Sequence, residues 1–75
     1  MEFHRECNAS GLLCPLPIIR TKKALTAMAS GEVLRVVATD PGLLRDMPTL
    51  TQRTGDTLLE HAREGNTFVF YLRKS

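Results

Sequence analysis

Apolar residues along this chain recur with a period of two near both ends and with a helical period in the first half. Near the start, Phe3 and Cys7 alternate with polar residues, and we expect both to lie on the inward face of a first strand. Residues 8–11, Asn-Ala-Ser-Gly, predict a turn after it. Near the end, residues 67–74 predict a strand with one apolar face, formed by Phe68, Phe70 and Leu72.

The first helical pattern predicts a helix over residues 15–29, since Pro15 suits the first helical position and Ser30-Gly31 is a stop signal. Residues 33–39 are rich in Val and predict a buried second strand. A strand, a helix and a strand in succession predict a parallel crossover. The helix has one apolar side at helical spacing, comprising Ile18, Thr21, Leu25, Met28 and Ala29.

Pro48 predicts an interruption in the second half of the chain, because proline breaks a continuous helix. We expect Asp40 to cap a short turn through Leu44, and a second helix over residues 47–54 to follow with Asp46 as its cap. Beyond Gly55, residues 57–63 predict a third strand, and Glu64-Gly65-Asn66 predicts a hairpin turn into the fourth.

The predicted element order is therefore β-α-β-α-β-β. It indicates an α/β (α+β) two-layer sandwich, a four-stranded mixed sheet with both helices on one face. We expect one domain over residues 1–75.

Length and charge limit the possible functions. A chain of 75 residues buries only about 60% of its unfolded surface, so a large enclosed pocket is not expected. The net charge of +2 is compatible with an acidic protein partner or with RNA and requires neither. The first six residues are charged and lack an apolar run, and no stretch is apolar enough to span a membrane. We therefore expect a cytoplasmic protein with reduced thiols.

Cys14 is the principal candidate for chemistry. It stands in Cys14-Pro15-Leu16-Pro17 at the start of the predicted helix, where free N–H groups and the helix dipole favour a thiolate. No second cysteine follows within three positions, which favours a carrier of a group on sulfur over a disulfide exchanger. The alternative is a buried, unreactive cysteine. We expect that role for Cys7, on the inward face of the first strand.

Residues around Cys14 suggest how partners dock. Arg20, Lys22 and Lys23 lie within about two helical turns of it. As a group they could attract an acidic partner or dock the backbone of tRNA, although a solvated helix face explains any single lysine. Leu12, Leu13 and Leu16 flank the cysteine and cannot all be buried, so they could form an apolar rim. The predicted docking residues are Leu13, Leu16, Arg20 and Lys23.

The chain resembles the TusA/SirA-type family of small sulfur carriers over nearly its whole length. The stretch Gly11-Leu12-Leu13-Cys14-Pro15-Leu16-Pro17 matches the family signature Gly-Leu-x-Cys-Pro-x-Pro. Four further pairs match: Gly31-Glu32, Asp40-Pro41, Arg45-Asp46 and Arg73-Lys74. The resemblance implies a sulfur relay in which Cys14 carries a persulfide, with Gly11, Pro15 and Pro17 positioning it, and with no cofactor and no metal.

The resemblance also implies partners. Sulfur would come from a cysteine desulfurase or a rhodanese and pass to a DsrE-type protein, and we expect the carrier to be a monomer. The run from Cys14 to Lys23 is more similar to carriers of sulfur-oxidising bacteria than to those of tRNA 2-thiouridine synthesis. Asn8 departs from the family, which usually has Asp there. Asn can keep an Asx-type hydrogen bond but does not carry the negative charge of Asp. The absence of that charge near Cys14 should favour the thiolate.

Two functions of other classes compete with this interpretation. A small basic domain could bind RNA without chemistry, although eight acidic residues and few aromatic ones argue against it. A redox switch could instead close Cys7 onto Cys14. The spacing of the two cysteines with His4 and His61 matches no zinc pattern.

Overall fold

The computed structural model describes residues 1–75 as a four-stranded sheet covered on one face by two helices, which confirms the predicted architecture and element order. The sheet order is β1-β2-β4-β3; β1 pairs with β2 in parallel, and the other two pairings are antiparallel. No helix combines the length and apolar character needed to cross a bilayer. The elements are β1 (Arg5–Ala9), α1 (Leu16–Thr26), β2 (Val33–Ala38), α2 (Leu43–Thr54), β3 (Thr57–Glu64) and β4 (Thr67–Arg73).

The core lies between the sheet and the helices. Strand β4 contributes its predicted apolar face, since Phe68, Phe70 and Leu72 are all buried. They pack against alternate residues of β2 and against apolar rows of the two helices. The core members from β2 and the helices are Leu34, Val36, Ala38, Leu25, Leu43, Met47 and Leu50.

Two predictions about the N-terminus, the start of the first turn and the burial of Phe3, were wrong. Strand β1 continues through Asn8 and Ala9, both of which pair with β2, so the turn begins later than expected. Phe3 lies before the strand and outside the core. The backbone N–H of His4 donates to Val33 and its ring accepts from the same residue, and the chain bends there. Phe3 consequently packs beside Arg35 and Tyr71, on the face that no helix covers.

Helix α1 is shorter than predicted at both ends. It begins at Leu16 rather than Pro15, whose φ of −96° and ψ of 8° are not helical. It ends at Thr26 because the N–H groups of Ala27 and Met28 bond three residues back, which tightens the last turn. Met28 still reaches the core from beyond the helix.

Helix α2 is continuous, so the predicted interruption at Pro48 was wrong, and Asp46 lies inside the helix rather than at its cap. A proline in a helix interior costs about 3 kcal/mol. Burial of one large apolar side chain contributes about 1.5–3 kcal/mol, and α2 buries three in one row: Leu43, Met47 and Leu50. Pro48 is exposed on the other side, where water can solvate the carbonyl left without a donor. Gly55 ends the helix as predicted, with a φ of 82°.

The last residues are held to the end of α2 by Asp56. Its buried carboxylate accepts a hydrogen bond of 2.8 Å from the backbone N–H of Ser75. Burial opposes ionisation, but the hydrogen bonds from Ser75 and Thr54, with the charge of Lys74, keep the pKa of Asp56 below its usual value. Because the folded pKa is the lower one, this carboxylate stabilises the fold above about pH 4, and the stabilisation is lost as the pH falls through the folded pKa.

We predict that Asp56→Asn lowers the free energy of unfolding by about 1 kcal/mol at pH 7, because a neutral amide accepts the Ser75 N–H less strongly than a carboxylate. Urea unfolding of both proteins at several pH values measures the difference, which should shrink below about pH 4. Glu64→Gln, a change of the same type at an exposed position, is the matched control. If Asp56→Asn still had a lower free energy of unfolding than the natural protein well below pH 4, the stabilising role of the Asp56 carboxylate would be contradicted.

Candidate functional site around Cys14

The loop that carries Cys14 is tied to the end of the neighbouring strand. The backbone N–H of Gly11 donates to the hydroxyl of Thr39 at 2.9 Å, and that of Cys14 donates to Oδ2 of Asp40 at 2.8 Å. Asp40 also accepts the N–H of Gly42 through Oδ1 at 3.0 Å, so it orders the turn into α2 as predicted. Because β1 and β2 are parallel, the loops that follow them meet at one edge of the sheet.

Local backbone geometry sets the entry into α1. Gly11 has a φ of 78°, a conformation that glycine adopts without steric cost. The Cys14–Pro15 peptide bond is cis. Pro17 is buried in the first turn, and its carbonyl accepts the hydroxyl of Thr21 at 2.8 Å. These contacts support the positioning roles of Gly11, Pro15 and Pro17, which stay predictions.

The sulfur of Cys14 is exposed and faces a carboxylate. Its Sγ donates to Oδ2 of Asp46, in the first half of α2, at 3.5 Å. Arg45 forms an ion pair with the other oxygen of Asp46 at 3.3 Å, and its own side chain is largely exposed. The thiol therefore lies beside the negative charge of Asp46, which the exposed guanidinium of Arg45 neutralises only in part.

These neighbours overturn the expectation that the helix start favours a thiolate. Partial desolvation raises the pKa of the Cys14 thiol, and the hydrogen bond to Asp46 with the charges of Asp46 and Asp40 raises it further, while Arg45 lowers it. The N–H of Leu16, the first residue of the helix, is already bonded to the carbonyl of Leu13. Cys14 at rest is thus a thiol held by a hydrogen bond.

Cys7 belongs to the core, as predicted. It is buried on the inward face of β1, and burial raises the pKa of its thiol, against the opposing charge of Arg20. Both cysteines are free, and they line different grooves on either side of α1. This separation argues against a switch in which Cys7 closes onto Cys14.

Two open grooves flank α1. The groove between α1 and β1, of about 660 Å³, contains Leu16, Arg20 and Lys23, three of the four predicted docking residues. The groove between α1 and α2, of about 580 Å³, contains Cys14 and Asp46, and continues to Lys22 and Arg53. The structure therefore places the predicted basic docking residues in the groove that Cys14 does not line. Leu13, the fourth docking residue, is the most exposed large apolar side chain, at 73%.

Sequence reasoning missed the two carboxylates as partners of Cys14. The sequence pattern indicates only capping roles for Asp40 and Asp46, although both follow a strand predicted to lie parallel to β1. The rule that the loops at the carboxyl ends of neighbouring parallel strands come together could have placed them beside Cys14. No group of three or more His, Cys, Asp or Glu side chains lies close enough to hold a metal ion.

We predict that Asp46→Asn lowers the pKa of Cys14, since it removes the charge that opposes the thiolate. Alkylation by iodoacetamide, followed from pH 6 to 11, should be faster in the variant at neutral pH. The advantage should vanish at high pH, where both thiols are ionised and the thiolate of lower pKa is the weaker nucleophile.

Arg45→Gln provides the control, because it removes the opposite charge and should slow alkylation at neutral pH. Circular dichroism establishes that both variants fold. If Asp46→Asn left the pH profile unchanged, Asp46 would not set the protonation of Cys14.

Known proteins match this sequence over nearly its whole length. The profile of the family described as sulfurtransferase TusA matches residues 5–74. The sulfur carrier protein TusA of Allochromatium vinosum is 51% identical over 74 residues, which cover 99% of this chain and 97% of the relative. TusA of Pseudomonas entomophila is 39% identical over 67 residues, covering 89% of this chain and 84% of the relative.

A solved structure agrees on the fold. The SirA-like protein from Desulfitobacterium hafniense superposes with a TM-score of 0.80 and 22% identity, covering 93% of this chain and 96% of the other. The sequence matches extend across the Cys14 loop and both helices. This chain therefore belongs to the TusA family of sulfur carrier proteins.

Proposed function

We propose that this protein carries sulfane sulfur as a persulfide on Cys14 and passes it between partner proteins. The observation that carries the proposal is the position of Cys14: it is the one exposed thiol of the chain, within the signature loop and at the end of an open groove. Cys7, the other cysteine, is buried in the core.

Loading is a transfer between sulfur atoms that needs no outside oxidant. The sulfur of Cys14 attacks the terminal sulfur of a donor persulfide, and a new S–S bond forms. The donor's own S–S bond breaks, its electron pair stays on the inner sulfur, and that sulfur takes up the proton that Cys14 lost. A thiol and a persulfide thus become a persulfide and a thiol, and delivery to the acceptor is the same exchange in reverse order.

Asp46 is the nearest acceptor for the proton that Cys14 releases, since it already holds the S–H hydrogen bond. As long as the thiol stays protonated, it is a weak nucleophile, because the thiolate is the reactive form. The free carrier is therefore slow to react with stray oxidants, and attack becomes efficient where a partner supplies a cation or a base.

The shape of the site requires partners. Both grooves are open to solvent, so the carrier cannot exclude water from the reacting sulfur by itself. We propose a cysteine desulfurase or a rhodanese as donor, a DsrE-type protein as acceptor, a monomeric carrier, and the cytoplasm as its compartment. We also propose dissimilatory sulfur oxidation rather than tRNA 2-thiouridine synthesis as the pathway, because the run from Cys14 to Lys23 resembles that of carriers from sulfur-oxidising bacteria.

We predict that the protein gains the mass of one sulfur atom when incubated with a rhodanese and thiosulfate, or with a cysteine desulfurase and cysteine. Intact-mass spectrometry before and after treatment with dithiothreitol measures the gain and its reversal. Cys14→Ser should abolish it, because no other thiol is exposed.

Cys7→Ala is the matched control and should load like the natural protein, provided that its thermal unfolding shows a folded core. Sulfur retained by Cys14→Ser would assign the carrier role to another group. Loss of loading in a folded Cys7→Ala protein would show that both thiols take part.

The choice of pathway has its own test. The loaded carrier is offered to a DsrE-type protein of a sulfur-oxidation system and, separately, to one of a tRNA-thiolation system, and the sulfur on each is followed by mass. Faster transfer to the first supports sulfur oxidation, and faster transfer to the second reverses the assignment.

A further inference from the structure

The groove between α1 and α2 carries opposite charges at its two ends. Cys14 and Asp46 lie at one end, and Lys22 and Arg53 line the same groove. Lys22 is six residues beyond Leu16, where α1 begins two residues after Cys14, and Arg53 is seven residues beyond Asp46 along α2. At the helical rise of 1.5 Å per residue, the two cations lie roughly 10–12 Å from the sulfur end.

Between its ends the groove is partly apolar. Ile18 is half-buried and Leu50 is buried, and each lies about midway along its helix between the two charged ends. The hydroxyl of Thr49 also lines the groove but is bonded to the carbonyl of Arg45. The middle of the groove therefore suits an extended chain lying along it more than a highly charged ligand.

The two cations are free to bind a ligand. The ion pairs of the protein join Arg35 to Glu6 and Arg45 to Asp46, and neither includes Lys22 or Arg53. Both side chains are exposed, and no acidic residue other than Asp46 lines the groove.

We propose that this groove binds an extended segment of a sulfur-relay partner, with the partner's cysteine opposite Cys14 and a carboxylate of the same segment held by Lys22 and Arg53. The inference rests on the proposed function and specifies the chemistry of the partner. An extended chain advances about 3.3 Å per residue, so the carboxylate lies roughly three or four residues from the partner's cysteine.

Charge also decides which end of the groove receives the carboxylate of the segment. Asp46 repels a carboxylate placed beside the reacting sulfur, whereas Lys22 and Arg53 attract it at the far end. An inorganic anion could contact Lys22 and Arg53 only, whereas an extended peptide reaches both these cations and Cys14.

The test uses short synthetic peptides whose single cysteine is activated as a mixed disulfide with 2-thiopyridine. Reaction with Cys14 releases the thiopyridone, whose absorbance gives the rate. One peptide series carries a single Asp at each spacing on either side of the cysteine, and the matched series carries Asn. Each rate is divided by the rate with dipyridyl disulfide, which is neutral and reports the intrinsic reactivity of the thiol.

We expect the Asp peptide to react roughly threefold to tenfold faster than its Asn counterpart at a spacing of three or four residues, the size that two exposed charge pairs provide. The preference should fall as salt is raised. It should disappear in Lys22→Gln with Arg53→Gln. It should persist in Arg20→Gln with Lys23→Gln, which removes the same charge from the other groove.

Two outcomes would overturn the proposal. One is an Asp preference absent at every spacing; the other is a preference lost in the Arg20 and Lys23 variant but kept in the Lys22 and Arg53 variant. Failure of the proposed function is separately visible, because loading of Cys14 by inorganic polysulfide, read by intact mass, does not depend on a carboxylate in the groove. A protein that loads sulfur yet shows no Asp preference disproves only the groove assignment.

Discussion

The carboxylate of Asp40 is the constraint on which the Cys14 site depends. One oxygen accepts the N–H of Cys14 and the other accepts the N–H of Gly42, just before α2 begins. A single side chain thus joins the cysteine loop to the start of the second helix. The other hydrogen bond that ties this loop to the end of β2 joins Gly11 to Thr39, so the bond from Asp40 is the one that fixes the backbone at Cys14 itself, where the sulfur meets Asp46.

The same carboxylates affect both the position of Cys14 and the reactivity of its thiol. Partial desolvation, the neighbouring Asp46 and the loop-ordering Asp40 all raise the pKa of the thiol, so the contacts that place Cys14 also make it less reactive. For a carrier this is advantageous, since a sulfur exposed to solvent on a chain of 75 residues has no enclosed pocket to protect it. Under the proposed function, the protonated thiol stays a weak nucleophile until a partner changes its surroundings.

Individual elements show where sequence patterns were sufficient. The alternation of Phe68, Phe70 and Leu72 predicted the buried face of β4, because alternate residues of a strand always point to the same side. The prediction from Pro48 was wrong, because the free-energy cost of a proline inside a helix is offset by the burial of three apolar side chains of α2. Only the packed sheet can cover these side chains. The prediction that Phe3 lies on the inward face of β1 was also wrong, because the chain, hydrogen-bonded between His4 and Val33, bends before β1 begins.

The sequence by itself determined the order of the elements, the signature loop around Cys14 and the burial of Cys7, since each depends on local periodicity or on a contiguous motif. Only the tertiary structure decided that Cys14 rests as a thiol against Asp46, and that Lys22 and Arg53, rather than Arg20 and Lys23, share its groove. The residues that contact Cys14 are 26 and 32 positions away along the chain. They meet because parallel pairing of β1 with β2 brings the two following loops to one edge, and because the packing of α1 against α2 decides which face of each helix lines the groove.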